Sequence, residues 1–187
     1  MKKFPLFSPA IFKKVGIAAI LEFGPIFVFL FSFNRFHVYQ ATMLLMVATI
    51  ISTIITYTHQ KRLPYVALFV ALLTIIFGSL TIVGHQPKFI QIRDTLYDIA
   101  FSFILVGGLI GNVNFLKMAF HNILPMSTKA WEKMTYAWAI FMLFAAAGNE
   151  YIRRTGGLHD WFQFKAAMIP ITVIFGLVVL YFSYETD

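Results

Sequence analysis

The chain has 187 residues, of which 59% are hydrophobic and 12% charged, with a mean hydropathy of +0.78. A water-soluble domain of this size gives about a quarter of its residues to charge, so too few charges are present to cover a soluble surface and lipid must solvate much of it. The net charge of +7 is spread over basic runs no longer than two, and there is no cysteine. That argues for loops at anionic headgroups rather than a nucleic-acid patch and excludes disulfides, thiolate metal sites and a cysteine nucleophile.

Six apolar runs follow one another, at about residues 15–33, 38–58, 63–84, 96–115, 134–152 and 164–182. They predict an all-α, polytopic integral membrane bundle of five or six transmembrane helices, with residues 1–187 as a single transmembrane domain. The first run reads as retained rather than as a cleaved signal. It is long, carries Glu22, and ends in Phe-Ser-Phe-Asn-Arg instead of a small-residue cleavage site. Each large apolar side chain contributes about −0.3 to −0.6 kcal/mol to insertion, against about +2.5 to +3.5 for a central acidic group. The sum favours insertion, although Gly24-Pro25 falls mid-run and can kink the helix.

The second run carries no charge, and its Thr and Ser residues can bond back to their own helix carbonyls. His59-Gln60-Lys61-Arg62 is a tight turn, so the second and third runs form an antiparallel hairpin, with Pro64 suited to the first turn of the third. Residues 85–94 are expected to be a loop lying along the interface, because Lys88 and Arg93 alternate there with Phe89, Ile90 and Ile92. In the fourth run Asp98 is placed in the first helical turn, where it suits the helix dipole. Gly107 and Gly111 have the spacing that lets two helix backbones approach closely, within the monomer or in a homo-oligomer. Ser127 is the expected cap of the fifth helix. Pro170 interrupts the sixth.

If all six runs span, Lys2, Lys3, Lys13, Lys14, Lys61, Arg62, Lys117, Lys129 and Lys133 share the N-terminal side, nine against six. If the first run stays on its starting side the split becomes ten against five. Either count puts the N-terminus in the cytoplasm. Length and hydropathy favour six spans with the first irregular.

Ionisable groups inside hydrocarbon are costly, and each needs a reason. Glu22, if it spans, must be protonated, paired or facing water inside the bundle. On the fifth helix Trp131, Thr135, Trp138, Met142, Ala145 and Asn149 share one face, so the Asn149 amide is expected to bond to a neighbouring helix. Glu150 precedes Arg153 and Arg154 in the order that favours ion pairing. The bland reading of this end is a satisfied helix terminus at the headgroups. The sharper one is a headgroup or partner contact built from Asn149, Glu150, Arg153, Arg154, Trp161 and Lys165. Catalytic, metal-ligand and phosphate-loop motifs are missing from the sequence, and the five histidines show no ligand spacing. No catalytic residue, metal or cofactor is therefore assigned.

Trp131-x-Lys133-x-x-x-Ala137-Trp138-Ala139-x-Phe141, then Asn149-x-Tyr151 and Trp161-x-x-Phe164-Lys165, form an ordered C-terminal pattern. Phe77-Gly78-Ser79-Leu80-Thr81, His85 and Phe89-Ile90 precede it, and Pro25 with Tyr39-Gln40-Ala41-Thr42 stands before those. Together, over about residues 20–182, these resemble the intracellular septation protein A family. The resemblance implies a multi-pass protein of the bacterial inner membrane that serves envelope biogenesis, envelope integrity and septation. It carries over no catalytic residue. The expected role is non-enzymatic, acting through contacts with the lipid bilayer and with other inner-membrane proteins of envelope synthesis or division. A small transporter or lipid flippase using Glu22 is the alternative.

Overall fold

A computed structural model describes the backbone of residues 9–60, 64–121, 124 and 126–185, without the side chains of 9–15, 18, 19, 22, 60, 184 and 185. The N-terminal Lys2 and Lys3, the turn residues Lys61 and Arg62, and the side chains of Lys13, Lys14 and Glu22 lie outside that description. The described residues form seven helices: α1 Pro9–Phe33, α2 Val38–Gln60, α3 Tyr65–Val83, α4 Lys88–Ile110, α5 Phe115–Phe120, α6 Thr128–Thr155 and α7 Leu158–Glu185. No strand occurs among them. The all-α expectation holds.

The turns follow from local chemistry. Ser127 caps α6, its hydroxyl accepting from the Ala130 amide at 3.2 Å. Asn114 does the same for short α5, accepting from the Lys117 amide at 2.8 Å. His85 and Asn112 take left-handed backbone at φ 49° and 59° and turn the chain after α3 and α4. The Tyr39 hydroxyl reaches across to hold the His85 carbonyl at 3.0 Å. Pro25 and Pro170 both sit inside continuous helices.

Two expectations fail together. Residues 88–94 are not an interfacial loop but the first two turns of α4, and Asp98 is therefore the eleventh residue of its helix rather than part of its first turn. The cause is burial. Ile90, Gln91 and Asp94 lie on one helical face, 1%, 6% and 5% exposed. Arg93 is satisfied inside the bundle by Asp94 and Thr74, while Lys88 stays exposed at the helix start.

Leaving α5 aside, each long helix packs antiparallel on the next, and the α4–α6 contact is the most extensive. Only a few contacts join α1 to α7, closing the ring. At the α2–α3 crossing a Cβ on Gly78 would stand 2.6 Å from the Met46 sulfur, so a larger residue there would require the Met46 side chain to move. Gly107 differs. A Cβ there would meet nothing within 4 Å, and Gly111 is the C-cap of α4, neighboured only by its own helix. Among the described residues, no other helix uses the Gly107 position for a close approach.

Large apolar side chains cover the outside, among them Ile20, Phe103, Phe144 and Ile174. A soluble monomer does not expose so much apolar surface; lipid does not penalise it. Val38–His59, Tyr65–Val83 and Leu158–Ser183 are long and apolar enough to cross a membrane, and Phe23–Phe33 is a shorter apolar stretch of α1. Helices α4 and α6 are long but more polar, because they carry the inward-facing groups described next.

Candidate functional site

One end of the bundle, where α1 meets α2, α3 meets α4 and α6 meets α7, holds a buried polar layer. Asn149 of α6 is its hub and is only 2% exposed. Its Nδ2 donates to the Gln91 carbonyl at 2.9 Å and to Thr95 Oγ1 at 2.7 Å, both on α4. Its Oδ1 accepts from Trp161 Nε1 of α7 at 2.8 Å. One amide thus spends both donor hydrogens and its acceptor tying three helices together.

Trp161 carries the connection on to α1. Its ring meets Phe29 edge-on with centroids 5.8 Å apart, and the neighbouring Phe162 stacks on Phe33 at 4.4 Å. These two aromatic contacts clasp the otherwise thin α1–α7 seam.

Beside the hub lies an ionic group that sequence reasoning missed. Asp94 of α4 accepts from Arg93 on Oδ1, through both Nε and Nη2. Its Oδ2 takes the ammonium of Lys165 from α7 at 2.7 Å. The remaining arm of Arg93 donates to Thr74 Oγ1 of α3 at 2.9 Å. Helices α4 and α7 therefore meet on one carboxylate with a cation on each oxygen, and α3 joins them through Arg93. At 1.5 Å per residue, Asp94 and Lys165 stand roughly 9–10 Å in from the starts of their helices. Asp98 lies one turn deeper on the same face of α4. A small cavity, with about 10 Å³ of free interior, is lined by Ile26, Phe29, Leu45, Ile90, Arg93, Asp94, Trp161 and Lys165. That is room for about one water.

The predicted contact residues thus divide into two groups. Asn149, Trp161 and Lys165 turn inward, and their polar atoms are taken by partners within the chain. Glu150, Arg153 and Arg154 remain at the outer edge as an ion-paired set: Arg153 reaches both Glu150 oxygens at 2.8 and 2.6 Å, and Arg154 joins through its Nε. Arg154 is 70% exposed. Glu22 belongs to α1, but its side chain is outside the described residues. Among the described residues no group of three His, Cys, Asp or Glu side chains is placed to hold a metal.

The missed residues did leave a trace in the sequence. Gln91, Asp94, Thr95, Asp98 and Ser102 recur at helical spacing and form one polar stripe. Treating residues 85–94 as a loop cut that stripe in half. Deeper down, Ser102 Oγ continues it by donating to the Ala139 carbonyl of α6 at 2.9 Å.

A family model described as intracellular septation protein A matches residues 17–186. The inner membrane-spanning protein YciB of Bradyrhizobium sp. (strain ORS 278) is 36% identical over 157 residues, covering 83% of this chain and 78% of the relative. The protein of the same name from Brucella melitensis biotype 2 is 32% identical over 174 residues, covering 84% and 79%. No solved structure matches.

Proposed function

Because the chain belongs to the intracellular septation protein A family, an integral inner-membrane group whose name links it to septation, we propose that it is a non-enzymatic membrane scaffold. In this reading it supports envelope synthesis, envelope integrity and division through lateral contacts with other inner-membrane proteins. The observation that carries the reading is how the polar groups are used. They bond to one another inside the bundle, while the outer face of α4 presents Phe103, Ile104 and Ile110 around the unoccupied Gly107 position. A neighbouring transmembrane helix from another protein, or from a second copy, would fit closely there.

The same reading places six passes across the bilayer with both termini in the cytoplasm. It follows from the antiparallel ring, from long-helix lengths of roughly 28–42 Å against a hydrocarbon core of about 30 Å, and from the charge split. A reporter fused to the C-terminus checks it; a periplasmic signal would rule out the even count.

The test of lateral contact is direct. Leucine at both 107 and 111 should leave insertion unchanged, because Gly107 has open space beside it, yet abolish complementation of a strain lacking the protein. Full complementation by the double variant would sink the idea. Since the chain has no cysteine, Gly107→Cys supplies a unique thiol for crosslinking to whatever packs there.

The buried Arg93–Asp94–Lys165 group favours one second reading, a small transporter or lipid flippase. Vesicles containing the purified protein should then move lipid or solute, and Glu22→Gln should slow them.

A further inference from the structure

Among the described residues, Asp98 is a titratable group of this layer with neither a hydrogen-bond nor an ion-pair partner. It is half-buried, sits roughly 15 Å along α4 from Lys88, and accepts no hydrogen bond among the described residues. The charges that act on it are those of Lys165 from α7 and of Arg93 and Asp94 from its own helix. The neighbouring polar groups on α3 and α6, Thr74 and Asn149, are neutral and already bonded. Among the described residues, α1 and α2 contribute the apolar cavity walls Ile26, Phe29 and Leu45, and the Glu22 side chain of α1 lies outside that description.

We propose that Asp98 is a proton-binding site whose ionised form competes with Asp94 for the ammonium of Lys165. The charge count supports this. With Asp98 protonated, the cluster holds two cations and one anion, and Lys165 rests on Asp94, as in this structure. When Asp98 gives up its proton, the cluster becomes neutral and gains a second carboxylate one turn deeper on the same face. Lys165 is suited to the move, having a flexible four-carbon stem and a point charge. Asp94 is not stranded by it, because Arg93 stays on its other oxygen and is itself held by Thr74. The cavity beside the cluster, lined by Arg93, Asp94 and Lys165 but not by Asp98 itself, has room for about one water, and water entering there is the acceptor of the released proton. The ligand is thus a proton exchanged with the end of the bundle where α3 meets α4, and the element that moves is the Lys165 side chain.

The experiment is infrared difference spectroscopy of the full chain, reconstituted in vesicles of phosphatidylethanolamine and phosphatidylglycerol, between mildly alkaline and acidic buffer. The expected result is a protonated-carboxyl band that grows on acidification, is lost in Asp98→Asn and is kept in Glu22→Gln. In Lys165→Gln the ionised form has lost its cation, so the midpoint should rise by about one pH unit or more. That shifted band should vanish in the Asp98→Asn/Lys165→Gln double variant. No titrating carboxyl band in the wild type, or one that survives Asp98→Asn, overturns the proposal. Should Asp98→Asn fail to fold, as read by helical content and detergent elution, Lys165→Gln decides: an unmoved midpoint overturns it.

Discussion

Helices α4 and α7 are similar in length, 23 and 28 residues, and opposite in what they contribute. Helix α7 is apolar enough to be recognised as a membrane span from composition alone, and most of it faces outward. Its inward polar and ionic contribution comes from its first two turns, through Trp161 and Lys165, while Phe162, Phe175 and Leu180 supply apolar packing along its length. Helix α4 fails the same apolar test, yet it shares the most extensive contact of the bundle with α6 and carries Gln91, Asp94, Thr95, Asp98 and Ser102 into the bundle. Hydropathy therefore finds the helices that lipid touches. The helices that hold the bundle together are found by their polar stripe, because in lipid only buried and bonded polar groups are tolerated.

The largest expected effect tests α4 at its ionic centre. Asp94→Leu removes the one anion that serves Arg93 and Lys165, leaving two cations buried without it. Breaking a buried ion pair in this way costs about 3–5 kcal/mol. Thermal unfolding in mild detergent should show a much less stable protein, and Lys165→Met added to Asp94→Leu should recover part of the loss. If Asp94→Leu unfolds like the wild type, the ionic layer does not brace the bundle.

A smaller effect is expected at the α6 hub. Asn149→Leu removes three interhelical hydrogen bonds, each worth about 0.6 kcal/mol on average in a membrane, so the total loss is roughly 2 kcal/mol. It also frees the Trp161 ring. Indole fluorescence alone does not isolate Trp161, since Trp131 and Trp138 also contribute. Measured against Trp161→Phe, however, the Asn149→Leu change should disappear. A change that persists in the Trp161→Phe background would mean that the amide braces some other contact.

Much of this arrangement was legible in the sequence. The six runs, the Ser127 cap, the inward face of α6 ending at Asn149 and the Glu150 ion pairs all followed from period and spacing, because each depends on residues within a few turns of one another. The α4 start did not. Arg93 and Asp94 look like residues that need water, and nothing local shows that Thr74 and Lys165 will come to meet them from two other helices. The same limit explains Lys165, which was read as a headgroup contact because its partner lies 71 residues earlier. Gly107 shows the converse case. Its spacing with Gly111 is a local signal of close approach, but among the described residues no helix answers it.

The smallest expected effect lies where the polar set faces outward. Glu150, Arg153 and Arg154 resemble the Arg93–Asp94–Lys165 group in composition, one carboxylate with two cations, so they sharpen the contrast between a buried and an exposed ion pair. Arg154 is 70% and Glu150 27% exposed, with Arg153 at 17%, whereas every side chain of the inner group is between 7% and 20% exposed. Water and salt screen the outer set, and exposed pairs are worth only about 0.2–1 kcal/mol. Glu150→Gln should therefore shift the melting temperature slightly, and raising the salt concentration should erase the difference from wild type. The loss in Asp94→Leu should survive the same salt, because ions do not reach the interior of the bundle. If both losses fade equally with salt, water already enters the layer around Asp94, and the distinction between inner and outer charge on which this fold is argued would not hold.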